Sequence, residues 1–266
     1  MMKAKSGGRN LFLILTCGFC FFLFSCGLES IVYLDPPFDA QTPSLESTDP
    51  VTHCFSFKTA NSKNSSADGI DGFSYLGTAV YYKIYGSYDT LASEKSKIET
   101  ANSSSTTNTA ASSLINTYNF KPLKLQGSTP EVLVPKDTSY KFVYIRLNDV
   151  LGSSEINSEY QRDVRVDSDK IENSTQGTRL GLPMRNTPQK NGFDFGATGS
   201  GSFGCVESDL PVESDEDVTG SASESGIWYV AAYAFSVGRD GSFNPSYSKV
   251  LPLGAIKINA ADYINK

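Results

Sequence analysis

The run Ile227-Trp228-Tyr229-Val230-Ala231-Ala232-Tyr233-Ala234-Phe235 carries no polar side-chain group except the tyrosine hydroxyls and the Trp228 indole N–H. It is short, rich in aromatic residues, and followed by a turn signal at Gly238-Arg239-Asp240-Gly241. Such a run reads as a strand rather than a helix. Side chains alternate across a strand. Trp228, Val230, Ala232 and Ala234 therefore share one face, and Tyr229, Tyr233 and Phe235 lie on the other. Neither face suits water, so both must be covered. The run is predicted to be the central strand of its sheet, with neighbours drawn from residues 78–85 and 246–253.

Thr78–Tyr85 repeats the pattern, with Val80, Tyr82 and Ile84 on one face and Tyr81, Lys83 and Tyr85 on the other. Tyr140–Leu147 is again apolar on both faces. Val51–Lys58 alternates: Val51, His53, Phe55 and Phe57 form the apolar face, and Thr52, Cys54, Ser56 and Lys58 the polar one. Weaker strand signals lie at Ile31–Leu34, Lys121–Leu125, Asp163–Val166 and Tyr247–Leu253. Residues 59–72 read as a polar loop. Asp89 can cap a helix reaching about residue 101. Ala111, Leu114, Ile115 and Tyr118, spaced i, i+3, i+4, i+7, predict a second helix. The chain is therefore mainly β: a sandwich with large loop and helical insertions at about 89–119 and 150–225. Residues 51–266 form the sandwich domain, and 26–50, with four prolines, form a tether with a first strand.

The N-terminus predicts location. Lys3, Lys5 and Arg9 precede an apolar stretch, Leu11–Phe24, that stops at Ser25-Cys26. A basic start, a short apolar run and a small residue before the cut make an exported leader. The stretch is shorter than the roughly 20 residues that span a bilayer comfortably. Leu23-Phe24-Ser25-Cys26 resembles a bacterial lipoprotein signal, in the relaxed form found in spirochaetes because Phe24 is bulky. The resemblance covers residues 1–26. It implies removal of residues 1–25, diacylglycerol on the Cys26 sulfur and acylation of the new amino terminus. Several acyl chains anchor stably where one is marginal. The expected location is the bacterial cell envelope, lipid-anchored at the outer membrane or on the periplasmic face of a membrane.

The strands carry a second resemblance. Trp228, Val230, Ala232 and Ala234 alternate, Gly241 marks a turn, and Pro245-Ser246 reopens a strand. Tyr82-Lys83-Ile84-Tyr85 looks like a central Tyr-x-Val strand, and Phe57 stands where a tryptophan is usual. Together these resemble a fibronectin type III domain, over about a third of the chain. The resemblance implies an immunoglobulin-like β-sandwich that binds or spaces and carries no catalytic residues.

Loss of the leader takes three positive charges and no negative one from a chain of net charge −6, leaving −9. A chain this acidic repels nucleic acid and anionic lipid. With Cys26 lipidated, Cys54 and Cys205 remain as an even pair in a compartment where disulfides persist, so a Cys54–Cys205 bond is expected. Gly199–Gly204 spells GxGxxG, but Cys205–Pro211 follows where a dinucleotide site needs a helix, so it reads as a surface loop. His53 is the single histidine, on an apolar strand face and without a nucleophile elbow. Glu213, Asp215, Glu216 and Asp217, and the pair Asp167 and Asp169, lack the spacing of a calcium loop and read as solvated. No catalytic, cofactor or metal residue is assigned.

Tyr81, Tyr85, Tyr229 and Tyr233 are the remaining candidates. If the two long strands pair, these side chains make a tyrosine-rich face. Insertions cover it, or it serves as an aromatic platform for sugar or protein. The sequence thus favours a lipid-anchored, non-enzymatic binding or structural module. The rival reading is an extracytoplasmic hydrolase acting on glycans through carboxylates.

Overall fold

The computed structural model describes residues 32–45, 49, 51–104, 109–149, 159–187, 211–222 and 226–259. In chain order the strands are β1 (Phe38–Gln41), β2 (Phe55–Lys58), β3 (Ser74–Tyr85), β4 (Lys121–Pro122), β5 (Lys124–Leu125), β6 (Val134–Pro135) and β7 (Phe142–Arg146). They continue as β8 (Asp163–Asp167), β9 (Thr178–Gly181), β10 (Pro183–Met184), β11 (Val218–Thr219), β12 (Ile227–Arg239), β13 (Pro245–Tyr247) and β14 (Leu251–Asn259). The helices are α1 (Asn61–Asn64), α2 (Tyr88–Ser104) and α3 (Thr109–Asn116). The described residues from Tyr33 onward form one compact unit.

β12 is central, as its apolar character predicts. β3 pairs antiparallel along one edge, from Tyr229 opposite Tyr85 to Arg239 opposite Ser74. β14 and β13 occupy the other edge. The outer edge of β3 is covered in patches by β6, β4 and the parallel β11. Short strands placed this way blunt an edge that would otherwise template pairing with another chain. A second sheet, antiparallel throughout, has the order β1-β2-β7-β8-β9.

The alternation of β12 separates two cores. Trp228, Val230, Ala232 and Ala234 face the second sheet and pack with Val80, Tyr82 and Ile84 of β3, Phe55 and Phe57 of β2, and Val143 and Ile145 of β7. Ala231, Tyr233, Phe235 and Val237 face the other way and pack with Leu91 and Ile98 of α2 and Ala110, Ala111 and Leu114 of α3. The architecture is sandwich-like, with the helical insertion as an extra layer on the tyrosine face. The outer face of the second sheet is covered too: Cys54 and Tyr144 pack with Ile171.

A bulge interrupts β14. Gly254 faces Ala232 and Pro252 faces Tyr233, so Leu253 is one residue too many. Leu253 and Ile256 can then both enter the inter-sheet core while Ala255 faces the helices. Gly254 holds φ at +92°, and a Cβ there would lie 2.7 Å from Thr42 Cγ2. Glycine therefore lets the segment after β1 lie directly on β14.

Several expectations need correction. Residues 32–34 are not strand, and the first strand forms at Phe38–Gln41. Pro36 and Pro37 follow Leu34 and lack backbone donors, so pairing with β2 starts beyond them. β2 begins only at Phe55, because Val51–Cys54 turns. Residues 59–72 hold α1 and two 3-10 turns rather than plain loop. α2 starts at Tyr88, which puts Asp89 in its first turn, where a carboxylate suits the helix dipole, rather than at the cap. The expected final strand divides into β13 and β14. The leader, Cys26, Gly199–Gly204 and Cys205 lie outside the described residues.

Candidate functional site

The tyrosine face of β3 and β12 is mostly sealed by α2 and α3. Tyr85, Tyr233 and Phe235 are buried, and Tyr81 and Tyr229 are half-buried. At the end of the face nearest Tyr229, however, the helices leave a cavity of about 520 Å³. That volume is within the usual range for small-molecule sites.

Three elements build the cavity. Ala231, Gly254 and Ala255 form a floor of small residues on β12 and β14, where Ala231 faces Ala255 directly. Tyr229 and Tyr233 flank Ala231 along β12, and Tyr85 lies opposite Tyr229 on β3. Tyr88, Leu91 and Lys95 supply one wall from α2; their i, i+3, i+7 spacing puts them on one helical face. The segment Thr42–Leu45, laid down over the Gly254 bulge, supplies the opposite wall.

The aromatic rings are held by each other. Tyr88 meets Tyr229 with ring centroids 5.7 Å apart. Phe120 bridges Tyr233 at 5.4 Å and Tyr85 at 6.4 Å, both edge-on. The Tyr85 hydroxyl donates to Glu94 Oε2 at 2.8 Å, which commits its proton. Burial, reinforced by the Glu94 carboxylate, pushes the Tyr85 phenol far up. Burial also raises the Tyr233 phenol, with Glu99 and Glu94 adding to it. Both phenols stay neutral at any physiological pH.

Among the described residues that line the cavity, Lys95 alone is charged. Its ammonium is 3.8 Å from Glu99 Oε1, one turn along α2.

Three of the four tyrosines expected to form a binding face thus line one cavity. Tyr81 does not join them. It packs on Phe235, with centroids 5.2 Å apart, and burial pushes its phenol up to about 12. Tyr88, Lys95 and the small floor residues are contributors that strand alternation could not reveal. Their helical and bulge positions carry no period-two signal.

The other candidates resolve differently. His53 lies ahead of β2, where its Nε2 is 3.1 Å from the Lys257 carbonyl oxygen. Asp215 and Asp217 are not solvated. They are buried against Arg185, which donates from Nε to Asp217 Oδ2 at 2.8 Å and from Nη2 to Asp215 Oδ2 at 2.8 Å. Tyr82 donates to the same Asp217 Oδ2 at 2.7 Å. The acidic loop is folded inward by an arginine some thirty residues upstream, which fixes β11 against β3. Asp167 is half-buried at the end of β8, and its carboxylate is held below the usual range by hydrogen bonds from Ser168 and Asp169. No group of three or more His, Cys, Asp and Glu is placed to hold a metal ion among the described residues. Cys54 is a buried free thiol, and Cys205 lies outside the described residues.

The chain matches no protein-family model, no curated protein and no solved structure.

Proposed function

We propose that this chain is a lipid-anchored cell-envelope protein that binds a small ligand without transforming it. The observation that carries the binding reading is the cavity: tyrosine-walled, floored by Ala231, Gly254 and Ala255, and roofed by an insertion on an otherwise sealed sheet. Aromatic walls supply large, rigid contact area. Acid–base hydrolysis would need a carboxylate pair facing the substrate. Among the described residues lining the cavity there is no carboxylate and no imidazole. The anchor in this reading is the acylated Cys26.

The body, in the same proposal, is a fibronectin type III-like sandwich. Strand order supports it. β1, β2 and β7 are neighbours in one sheet, and β3, β12 and β14 in the other. That order suits the A-B-E and C-F-G strands of immunoglobulin-like sandwiches. β8 and β9 extend the first sheet beyond β7 and come from the second insertion.

Two experiments test the proposal. Cys26→Ser should abolish palmitate labelling and leave an unprocessed precursor; a labelled mutant would sink the anchor. A thermal-shift screen with neutral saccharides, short peptides and uncharged aromatic compounds should find ligands that stabilise the wild type but not Ala255→Leu, which fills the floor. Shifts identical in the two proteins would sink the binding site.

A further inference from the structure

We infer that the end of the sandwich formed by the β12–β13 hairpin and the turn at residues 69–72 rests on the lipid surface that anchors the protein, with Phe243 and Ile70 entering the interface of a neutral bilayer. The inference rests on reading Cys26 as acylated, and it deepens that reading by orienting the body.

The path of the chain selects this end. Asp35 is clamped through its backbone. Its N–H donates to Asn64 Oδ1 at 2.8 Å, and its carbonyl accepts from Asn64 Nδ2 at 2.9 Å and from Ser236 Oγ at 2.7 Å. Leu34, just before it, is buried, and Tyr33 is exposed. Ser236 lies near the end of β12, which stops at Arg239 where the hairpin turn begins. The chain therefore enters the body beside that hairpin. Asp35 follows Cys26 by nine residues, which span at most about 30 Å when fully extended. An acyl group on Cys26 thus keeps this entry point close to the bilayer.

Two built turns at this end present large apolar side chains to water. Phe243 is 77% exposed and Ile70 48%. In the hairpin, Asp240 Oδ1 accepts from the N–H groups of Ser242 and Asn244 at 2.9 and 2.8 Å, and Oδ2 accepts from Asn244 Nδ2 at 2.9 Å. The Phe243 N–H donates to the Asp240 carbonyl at 2.9 Å. The turn so held puts Phe243 at φ +66°, a left-handed value that a bulky residue rarely takes. Strain of this kind persists only where the surroundings impose it, and it gathers at functional positions. The second turn is closed by Gly69 N–H to the Phe73 carbonyl at 2.7 Å and Phe73 N–H to the Ile70 carbonyl at 2.8 Å. The Phe73 side chain is buried against Gly238 of β12 while Ile70 is left outside. The two turns adjoin, since a Cβ on Gly72 would lie 3.5 Å from Gly241 Cα.

Charge decides the kind of surface. Lys136, Lys141 and Arg239 at this end pair with Asp68, Asp137 and Glu131. They are therefore not poised to draw anionic headgroups, and the chain as a whole is acidic. Contact is made by apolar side chains on a neutral lipid surface, where a phenyl ring and an aliphatic chain bury themselves at the boundary of headgroups and acyl chains.

The test uses the acylated full chain in vesicles of neutral phosphatidylcholine brominated on the upper acyl carbons, which quench nearby tryptophan. Trp228 is buried and gives a constant background. Phe243→Trp and Ile70→Trp each place a reporter on one tip. Ser221→Trp places one at the opposite end, where Ser221 lies against Gly86 beyond the end of β3. The added emission of both tip variants should shift to the blue and be mostly lost on brominated lipid, and that of Ser221→Trp should be unchanged. If the protein floats with the vesicles and the tip reporters are quenched no more than Ser221→Trp, the docking is overturned while the anchor stands, and the tips are left to a protein partner. If the wild type does not float with the vesicles, the anchor reading falls and the docking with it.

Discussion

Lys83 on β3 donates to both oxygens of Glu94 on α2, at 2.9 Å to Oε2 and 3.2 Å to Oε1. Its third proton goes to the Tyr118 carbonyl at 2.8 Å, and Tyr85 donates to the same Glu94 oxygen. The ammonium is thus fully satisfied under the helices, with the Tyr85 and Phe120 rings 5.2 and 5.8 Å away. This is how a helix of weak amphipathic pattern is held on an apolar sheet. It also sets where Tyr88, Leu91 and Lys95 stand as a cavity wall.

Removing one partner should therefore hurt more than removing both. Glu94→Ala leaves a nearly buried ammonium without its carboxylate and should cost about 3–5 kcal/mol in denaturant unfolding. The double change Lys83→Met, Glu94→Leu should cost clearly less. A double mutant as unstable as Glu94→Ala would mean that the pair does not couple α2 to the sheet.

The Arg185 cluster gives a second ranking. Asp217→Ala takes one of two carboxylates from a fully buried guanidinium, leaving it Asp215, and should cost about 3–5 kcal/mol. Tyr82→Phe removes the acceptor of the Asn186 amide, bonded at 2.6 Å, and should cost about 1–3 kcal/mol. Urea titrations of the two variants check the order. Equal, small losses would mean that the acidic loop is not tied down through Arg185.

The sequence is legible where one period dominates. β3 and β12 alternate over their length, so their pairing, their two covered faces and the fate of Tyr85, Tyr229 and Tyr233 can be read from it. α3 is legible from the helical spacing of Ala111, Leu114, Ile115 and Tyr118, and α2, whose amphipathic pattern is weak, only from Asp89 near its start. The illegible parts are set by partners distant in the chain. Asp215 and Asp217 resemble any solvated acidic loop until Arg185 is brought to them. β4, β5, β6, β10 and β11 span two residues each and exist because a neighbour offers an edge. The cavity is half legible: its tyrosines follow from alternation, whereas its floor depends on the Gly254 bulge.

Gly254→Ala tests that bulge. The residue must take a left-handed φ, and its Cβ would press on Thr42 and Pro43. A loss of about 1–3 kcal/mol is expected as the Thr42–Leu45 wall shifts. Unchanged stability, by thermal unfolding, would show that the segment does not rest on the bulge.

Cys54 should behave as a buried thiol. Burial pushes it from the ordinary 9.0 up to about 11. The folded protein thus holds the proton more tightly than the unfolded chain. The resulting stability is present in full below about pH 9 and is lost as pH rises through about 11. Iodoacetamide at pH 8 should spare Cys54 in the folded protein and modify it in urea without reductant. If Cys54 reacts in urea only after reduction, it is in a disulfide.

The most direct measurement for the central claim is native mass spectrometry of the protein released from its own envelope. The cavity, read as a binding site, predicts a small-molecule adduct on the wild type that is missing from Ala255→Leu purified in the same way. Identical spectra for the two proteins, with or without an adduct, would contradict it.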